Sequence, residues 1–130
     1  MQKIYVTGLA VTIALLAQQP NPNFTGNITR LEATGTVAHI KFEAGARTKW
    51  HVHSGGQIVM VEEGVGLAQE RGKPVIELRP GEPIYCPPGV EHWHGASPKE
   101  GGTQYNVTRG DIKWLEEVSD KDFSAKPKRK

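Results

Sequence analysis

The sequence predicts an all-β domain, a sandwich or a closed barrel of short strands. After the first two dozen residues, short apolar stretches are separated by glycine and proline, and no long amphipathic helix is predicted before Asp111. Over residues 35–42 the chain alternates with period two, which places Val37, His39 and Lys41 on one face of a strand. Both observations favour a domain built from strands.

Further strands are predicted at the regular spacing of a barrel. They cover residues 57–61, 65–69, 75–78, 83–86 and 103–108. Turns rich in glycine and proline are predicted between them at 62–64, 71–74 and 79–81. Near the C terminus, Trp114 and Val118 recur at i and i+4 with Leu115 nearby, which predicts one short C-terminal helix packed on the barrel.

Composition fits one globular domain and disfavours polyanionic partners. The chain has 130 residues, of which 37% are hydrophobic and 23% are charged, values too balanced for a disordered chain. A net charge of +2 gives no reason to expect a nucleic-acid partner. The basic residues within 124–130 are interpreted as a solvated tail.

The first 23 residues are interpreted as a signal peptide or another N-terminal extension. Lys3 precedes an apolar run over 4–17, which ends at Gln18-Gln19-Pro20. The run is short for a bilayer, so no permanent membrane anchor is expected. Export would make the protein periplasmic or secreted, and otherwise it is cytoplasmic. The alternative for this run is an N-terminal strand, which its β-branched residues would suit.

Two short segments contain four of the five histidines. In the first, His51 and His53 are separated by one residue, so they project from the same face of a strand and can converge on one ion. Alone this pattern is weak, because a barrel interior also holds hydrogen-bonded histidines without metal. The second segment repeats it with His92 and His94 after a Pro-Gly turn. The repetition favours a metal site.

Both segments resemble the two motifs that define the cupin family, G-x5-H-x-H-x3-4-E-x6-G and G-x5-P-x-G-x2-H-x3-N. The residues that match the first motif in order and spacing are Gly45, His51, His53, Gln57 and Gly64, with Gln57 in place of glutamate. Those that match the second are Gly81, Pro87, Gly89 and His92, with Ala96 in place of the final asparagine.

The resemblance covers residues 24–123 and implies a single cupin domain, a double-stranded β-helix or jelly-roll barrel. It also implies one divalent transition metal per chain, with His51, His53, Gln57 and His92 as ligands. Because Gln57 is neutral, a bound ion would keep its full charge and Lewis acidity. Manganese is favoured, and iron, nickel, cobalt and zinc stay open. The alternative for Gln57 is a strand residue whose amide bonds neighbouring backbone.

His94 and His39 each leave more than one role open. His94 shares the face of His92 and is expected to act as a general acid or base, with a further ligand or an orienting residue as alternatives. His39 lies on an earlier strand and faces either the cavity or the surface.

A closer resemblance lies in the segments 45–53, 88–96 and 114–120. These are similar to small bacterial monocupins akin to carboxymuconolactone-decarboxylase-associated cupins, a group that includes manganese-dependent hydroxynitrile lyases. The resemblance implies that His94 lies near the substrate hydroxyl. The chain departs from those lyases at Gln104, where they carry a further cavity histidine, and at Thr108, where they carry a glutamine.

These features favour a metal-dependent enzyme acting on a small molecule, most of all a hydroxynitrile-lyase-like enzyme. The alternatives are an iron or manganese cupin dioxygenase and a non-catalytic module that binds a small ligand. Trp50 and Trp93 alternate with motif histidines, so they are expected in the core or in a subunit interface. Strand edges and aromatic surface such as Trp50 predict a homodimer or homotetramer. Cys86, the single thiol, is interpreted as structural.

Overall fold

The structure is a computed structural model that describes residues 20–130. The predicted signal peptide falls almost entirely on residues 1–19, which lie outside the described residues. Within the described part, no helix is long and apolar enough to cross a membrane.

Thirteen strands and one helix are present within residues 20–130. In chain order they are β1 Phe24–Thr25, β2 Ile28–Thr34, β3 Val37–Phe42, β4 Arg47–Thr48, β5 His51–His53, β6 Gln57–Gly64, β7 Gly66–Glu70, β8 Ile76–Leu78, β9 Ile84–Cys86, β10 His92–Ala96, β11 Gly102–Thr108, β12 Ile112–Trp114, α1 Asp120–Phe123 and β13 Lys128–Arg129. The strand predicted from alternation and the five predicted from spacing are all confirmed, and the strands β1, β2, β4, β12 and β13 were not predicted.

The strands form two sheets, which confirms the predicted all-β jelly-roll barrel. Sheet one has the order β1-β4-β10-β7-β8-β13, with β5 paired to β10 and β12 paired to β5. Sheet two has the order β2-β3-β11-β6-β9. Neighbours are antiparallel except β13, which runs parallel to β8. Consecutive strands often change sheet, so residues far apart in sequence face one interior.

The short C-terminal helix is present, but its predicted position was wrong. Trp114 lies in β12, opposite His51 of β5, and the helix begins only at Asp120. Ser119 caps it, because its hydroxyl accepts a hydrogen bond from the Asp122 backbone N–H. The i and i+4 spacing of Trp114 and Val118 therefore reflects two separate contacts with the barrel and not one helical turn.

The interior away from the histidines is filled by large apolar side chains. Trp50 and Trp93 belong to one buried cluster, which Leu67, Val118 and Phe123 help to form. Both tryptophans point away from the histidines beside them, as the alternation predicts, and both are core residues. The expectation that Trp50 contributes aromatic surface to a subunit interface was wrong, because Trp50 is only 3% exposed within the single chain.

The basic tail is exposed but it is not free. Lys128 and Arg129 pair with Ile76 and Glu77 of β8 as the short strand β13. The Arg129 guanidinium lies 2.9 Å from a Glu82 carboxylate oxygen and 3.4 Å from a Glu77 carboxylate oxygen. The tail therefore extends sheet one, which the sequence interpretation as a solvated segment did not foresee.

One buried arginine fastens the C-terminal segment to the barrel. Arg47 of β4 is 7% exposed, and its Nη2 donates to the Val118 carbonyl at 3.1 Å and to Asp120 Oδ1 at 3.0 Å. Its guanidinium also lies over the Phe123 ring, 4.2 Å from the centroid. Because Arg47 is buried and the Asp120 side chain is fully exposed, the bond to the carbonyl is expected to contribute more stability than the ion pair.

Replacing Arg47 by methionine should therefore lower the free energy of unfolding by about 1.5–3 kcal/mol, the range for a hydrogen bond to a charged group. Urea denaturation of the wild type and the variant measures the difference. D120N is the matched control and should change the stability much less, because water solvates that carboxylate. Equal effects of R47M and D120N would contradict the assignment.

Candidate metal centre

The fold brings three motif histidines together on sheet one. His51 and His53 lie on β5, and His92 of β10 stands directly opposite His51 in the antiparallel register. Alternation along β5 places His53 on the same face as His51. All three side chains are buried, and each offers a ring nitrogen such that the three nitrogens lie within 4.8 Å of one another.

Gln57 reaches the same place from sheet two. The turn between β5 and β6 requires Gly56, whose φ is +82° and where a Cβ would lie 2.9 Å from the Cys86 carbonyl oxygen. Gln57 then begins β6, and its Oε1 lies 2.8 Å from His92 Nε2 and 3.4 Å from His51 Nε2. The four residues predicted as ligands are therefore neighbours, although that role stays a prediction.

Hydrogen bonds to the backbone set the orientation of two imidazoles. His51 Nδ1 donates to the Lys49 carbonyl at 2.9 Å, and His92 Nδ1 donates to the Val90 carbonyl at 3.0 Å. In the neutral rings these bonds leave both Nε2 atoms as acceptors. Gln57 Nε2 donates to Thr108 Oγ1 at 3.2 Å, which turns Oε1 toward the histidines.

The lone pairs of His51 Nε2, His92 Nε2 and Gln57 Oε1 consequently face one another, and none of these three atoms carries a proton to donate. An arrangement of acceptors facing acceptors fits a bound cation, because a cation satisfies all of them at once. His53 adds a fourth donor atom, since its ring is 2% exposed and neither of its nitrogens has a hydrogen-bond partner within residues 20–130. Three imidazoles and one amide oxygen form a donor set suited to a divalent transition metal.

The histidines are held in the neutral form that a metal requires. Burial lowers the pKa of His51 to about 3 and that of His53 to about 4, with the charge of His92 as the next cause in each case. Burial also lowers the pKa of His92. At neutral pH these side chains therefore keep their lone pairs, and protons compete weakly for the site.

His94 lies beside this cluster and is held by a different partner. Its Nδ1 donates to Gln104 Oε1 at 2.9 Å, and Gln104 Nε2 donates to the Gly95 carbonyl at 2.8 Å. The ring of Phe42 packs against it edge to face, with 5.9 Å between centroids. The His94 and His51 ring centroids are 5.5 Å apart, and burial lowers the pKa of His94 well below its usual value. His94 is thus a neutral imidazole whose Nε2 is free to accept a proton.

A cavity of about 410 Å³ connects these groups. Side chains from both sheets line it, among them His51, His53, Gln57, His94, Asn106, Thr108 and Trp114. His39 is not among the lining residues: its Nε2 lies 2.7 Å from Glu62 Oε2 and its ring stacks on Tyr105 on the outer face of sheet two. Of the two alternatives for His39, the structure has the outward one.

Sequence reasoning missed the hydrogen-bonding roles of two residues on β11. Gln104 and Thr108 were noted only as departures from the lyases, yet they orient His94 and Gln57 respectively. A signal was present, because 103–108 is a predicted strand and residues 104, 106 and 108 share one face of it. Cys86 is buried and burial raises its pKa to about 12, in agreement with a structural role.

Residues 38–103, which are half of the chain, match the family model of the cupin domain. The chain belongs to the cupin family. The (R)-mandelonitrile lyase of Granulicella tundricola is 40% identical over 90 residues, which are 66% of this chain and 69% of that protein.

Two solved structures show the same fold at different levels of sequence identity. A cupin-like protein from Thermotoga maritima has a TM-score of 0.70 and 39% identity, and the match covers 77% of this chain and 84% of that one. A DMSP lyase from Ruegeria pomeroyi has a TM-score of 0.53 and 16% identity, with 75% of this cupin and 54% of that chain covered. The second likeness concerns the fold alone.

The metal-free protein should lose stability in mild acid. The folded-state pKa values of His51 and His53 lie below the ordinary 6.5, so their contribution is fully present above pH 6.5 and is lost as the pH falls toward 4 and below. Each histidine should add a slope of up to about 1.4 kcal/mol per pH unit in this window. Urea denaturation of chelator-treated protein between pH 7.5 and 4.5 measures the slope.

The variant H53L removes one titrating group and should make this slope shallower. N27L replaces an exposed residue that does not titrate and should leave the slope unchanged. A stability that is flat from pH 7.5 to pH 4.5 in the wild type would contradict the burial of neutral histidines.

Proposed function

We propose that this cupin is a metal-dependent lyase that cleaves a cyanohydrin into a carbonyl compound and hydrogen cyanide. The observation that carries the proposal is the neutral His94, whose free Nε2 lies in the cavity beside the cluster of His51, His53, Gln57 and His92. The 40% identity to an enzyme named (R)-mandelonitrile lyase supports an aromatic cyanohydrin as the substrate class.

His51, His53, Gln57 and His92 would hold one divalent metal, and manganese is the metal we propose. When bound, such an ion supplies a Lewis acid that attracts an oxygen of the substrate. These four side chains are uncharged, so they would leave the positive charge of a bound ion uncompensated. That charge would favour the departing cyanide, for which a glutamate at position 57 would be less suitable.

His94 moves the proton in the reaction that we propose. Its Nε2 takes the proton of the substrate hydroxyl, the C–C bond to the nitrile carbon breaks, and cyanide leaves with the electron pair while the oxygen forms a carbonyl. The imidazolium then returns the proton to cyanide. Burial lowers the pKa of His94, which favours return of the proton and restores the neutral base.

Gln104 keeps His94 in the form that this step needs. The Gly95 carbonyl can only accept, so Gln104 must present Nε2 to it and Oε1 to His94. The His94 proton is thereby placed on Nδ1, and Nε2 stays a base. Gln104 thus supplies the acceptor that fixes the His94 tautomer.

The proposed function is tested first by metal content and turnover. Protein purified without chelators, or reconstituted with manganese, should contain about one transition metal per chain and should release benzaldehyde and cyanide from (R)-mandelonitrile. Elemental analysis and an absorbance assay for benzaldehyde measure both. Less than about a tenth of a metal per chain after reconstitution would reject the metal centre. Full loading without cleavage would reject the lyase, and oxygen consumption would then test a dioxygenase.

Replacement of His94 by alanine should lower mandelonitrile cleavage by about 10²-fold or more, the usual scale for a lost acid–base group, while the metal content stays near one per chain. Elemental analysis and kinetics on the same preparation separate the two effects. H39A is the matched control and should retain full activity, since His39 lies outside the cavity. Loss of metal together with activity in H94A would make His94 a ligand.

A homodimer or homotetramer is also proposed. Strands β6 and β9 present Ile58, Met60 and Tyr85 at the outer face of sheet two with more than a third of each side chain exposed. Export to the periplasm or the medium stays a proposal that rests on the sequence of residues 1–23 alone.

A further inference from the structure

Three polar residues on β11 face the interior between the two sheets in succession. Gln104, Asn106 and Thr108 alternate with outward residues, and two of them have structural partners: Gln104 holds His94 and Thr108 holds Gln57. Asn106 stands between them. It lines the cavity and is only 2% exposed, yet neither its Nδ2 nor its Oδ1 has a hydrogen-bond partner within residues 20–130.

The neighbours of Asn106 on the sheet cannot satisfy it. Directly across the two flanking strands stand Ala38 of β3 and Val59 of β6, which share its inward face and carry no polar side-chain atom. A buried carboxamide without a hydrogen-bond partner is unfavourable unless something in the cavity bonds to it. Exchanging its oxygen and nitrogen positions does not change this, because both atoms lack a partner.

The position of Asn106 points to the substrate as the missing partner. The next inward-facing residues on either side of it, Gln104 and Thr108, bond to His94 and Gln57 respectively. Asn106 therefore faces the space between the proposed base and this proposed ligand. Residues two apart on a strand are separated by about 6.8 Å, which places Asn106 within reach of a small molecule that is held beside His94.

The chemistry of the amide limits what the substrate carries. A nitrile or an ether oxygen could only accept a hydrogen bond from Nδ2 and would leave Oδ1 buried and unpaired. A carboxylate would also leave Oδ1 unpaired and would bury a charge. A hydroxyl group both accepts from Nδ2 and donates to Oδ1. We propose that Asn106 is a specificity residue that binds a hydroxyl group of an uncharged substrate, in addition to the hydroxyl at the reacting carbon.

This inference rests on the proposed function for the place of the substrate, but its test measures binding without turnover. The probes are benzyl alcohol and its 3-hydroxy and 4-hydroxy derivatives, which keep one alcohol and differ in the second hydroxyl. Isothermal titration against zinc-loaded protein at pH 7 gives the affinities. The better of the two hydroxylated probes should bind about 10-fold more tightly than benzyl alcohol, the scale of one hydrogen bond.

The variant N106L keeps the number and branching of the side-chain heavy atoms but has no hydrogen-bonding group, and it should abolish this preference. N27L makes the same change at an exposed asparagine and should keep it. The thermal midpoint of ligand-free N106L should equal or exceed that of the wild type, because no protein hydrogen bond is lost. In the wild type, NMR should show the Asn106 side-chain amide signals shifting with the hydroxylated probe and not with benzyl alcohol, a measurement that needs no variant to fold.

The outcomes separate this inference from the proposed function. Equal affinity of the wild type for all three alcohols, absence of binding included, would overturn the role of Asn106, and so would a preference that survives in N106L. Cleavage of mandelonitrile by a protein without the preference would keep the lyase and discard the specificity residue. If the protein cleaves no cyanohydrin but shows a preference that depends on Asn106, the specificity residue is kept and the lyase is discarded.

Discussion

The structure depends on the approach of three lone pairs inside a closed barrel, those of His51 Nε2, His92 Nε2 and Gln57 Oε1. Each is aimed by a hydrogen bond on its far side, to the Lys49 carbonyl, the Val90 carbonyl and Thr108 respectively. Burial of these side chains keeps the imidazoles neutral. This burial makes the arrangement unfavourable without a cation and would favour the binding of one, so stability and metal affinity would be coupled.

The β-sandwich architecture explains why the donors come from both sheets. Sheet one supplies the histidines, because β5 and β10 are neighbours in register, and sheet two supplies Gln57 through the tight turn at Gly56. Neither sheet alone could surround an ion. The C-terminal segment completes the wall, since β12 pairs with β5 and places the Trp114 ring 4.9 Å from that of His51. Arg47 holds this segment down through the Val118 carbonyl.

Much of this could be predicted from the sequence, because local patterns determine it. Alternation places His51 and His53 on one face, and the glycines of the two motifs occur where the chain must turn, so strands and site residues follow from spacing. The helix at Trp114 was wrong because two apolar residues four apart satisfy helical and non-helical packing equally well. Pairing of β13 with β8 and the hydrogen bonds of Gln104 and Thr108 depend on contacts across the fold, which spacing does not encode.

Gln104 and Thr108, the two positions at which the sequence departs from the lyases it resembles, both have structural roles beside the cavity. Both residues keep a hydrogen bond to the groups that matter, His94 and Gln57, so neither substitution leaves the site unsupported. The residue between them is the one without a partner within the described chain. The same face of β11 supports His94, the proposed base, and Gln57, one proposed ligand. The Asn106 amide at its centre is therefore positioned to bind the substrate without contacting the groups that hold either residue. Under this proposal, a change at Asn106 alters selectivity without touching the four residues that would hold the metal.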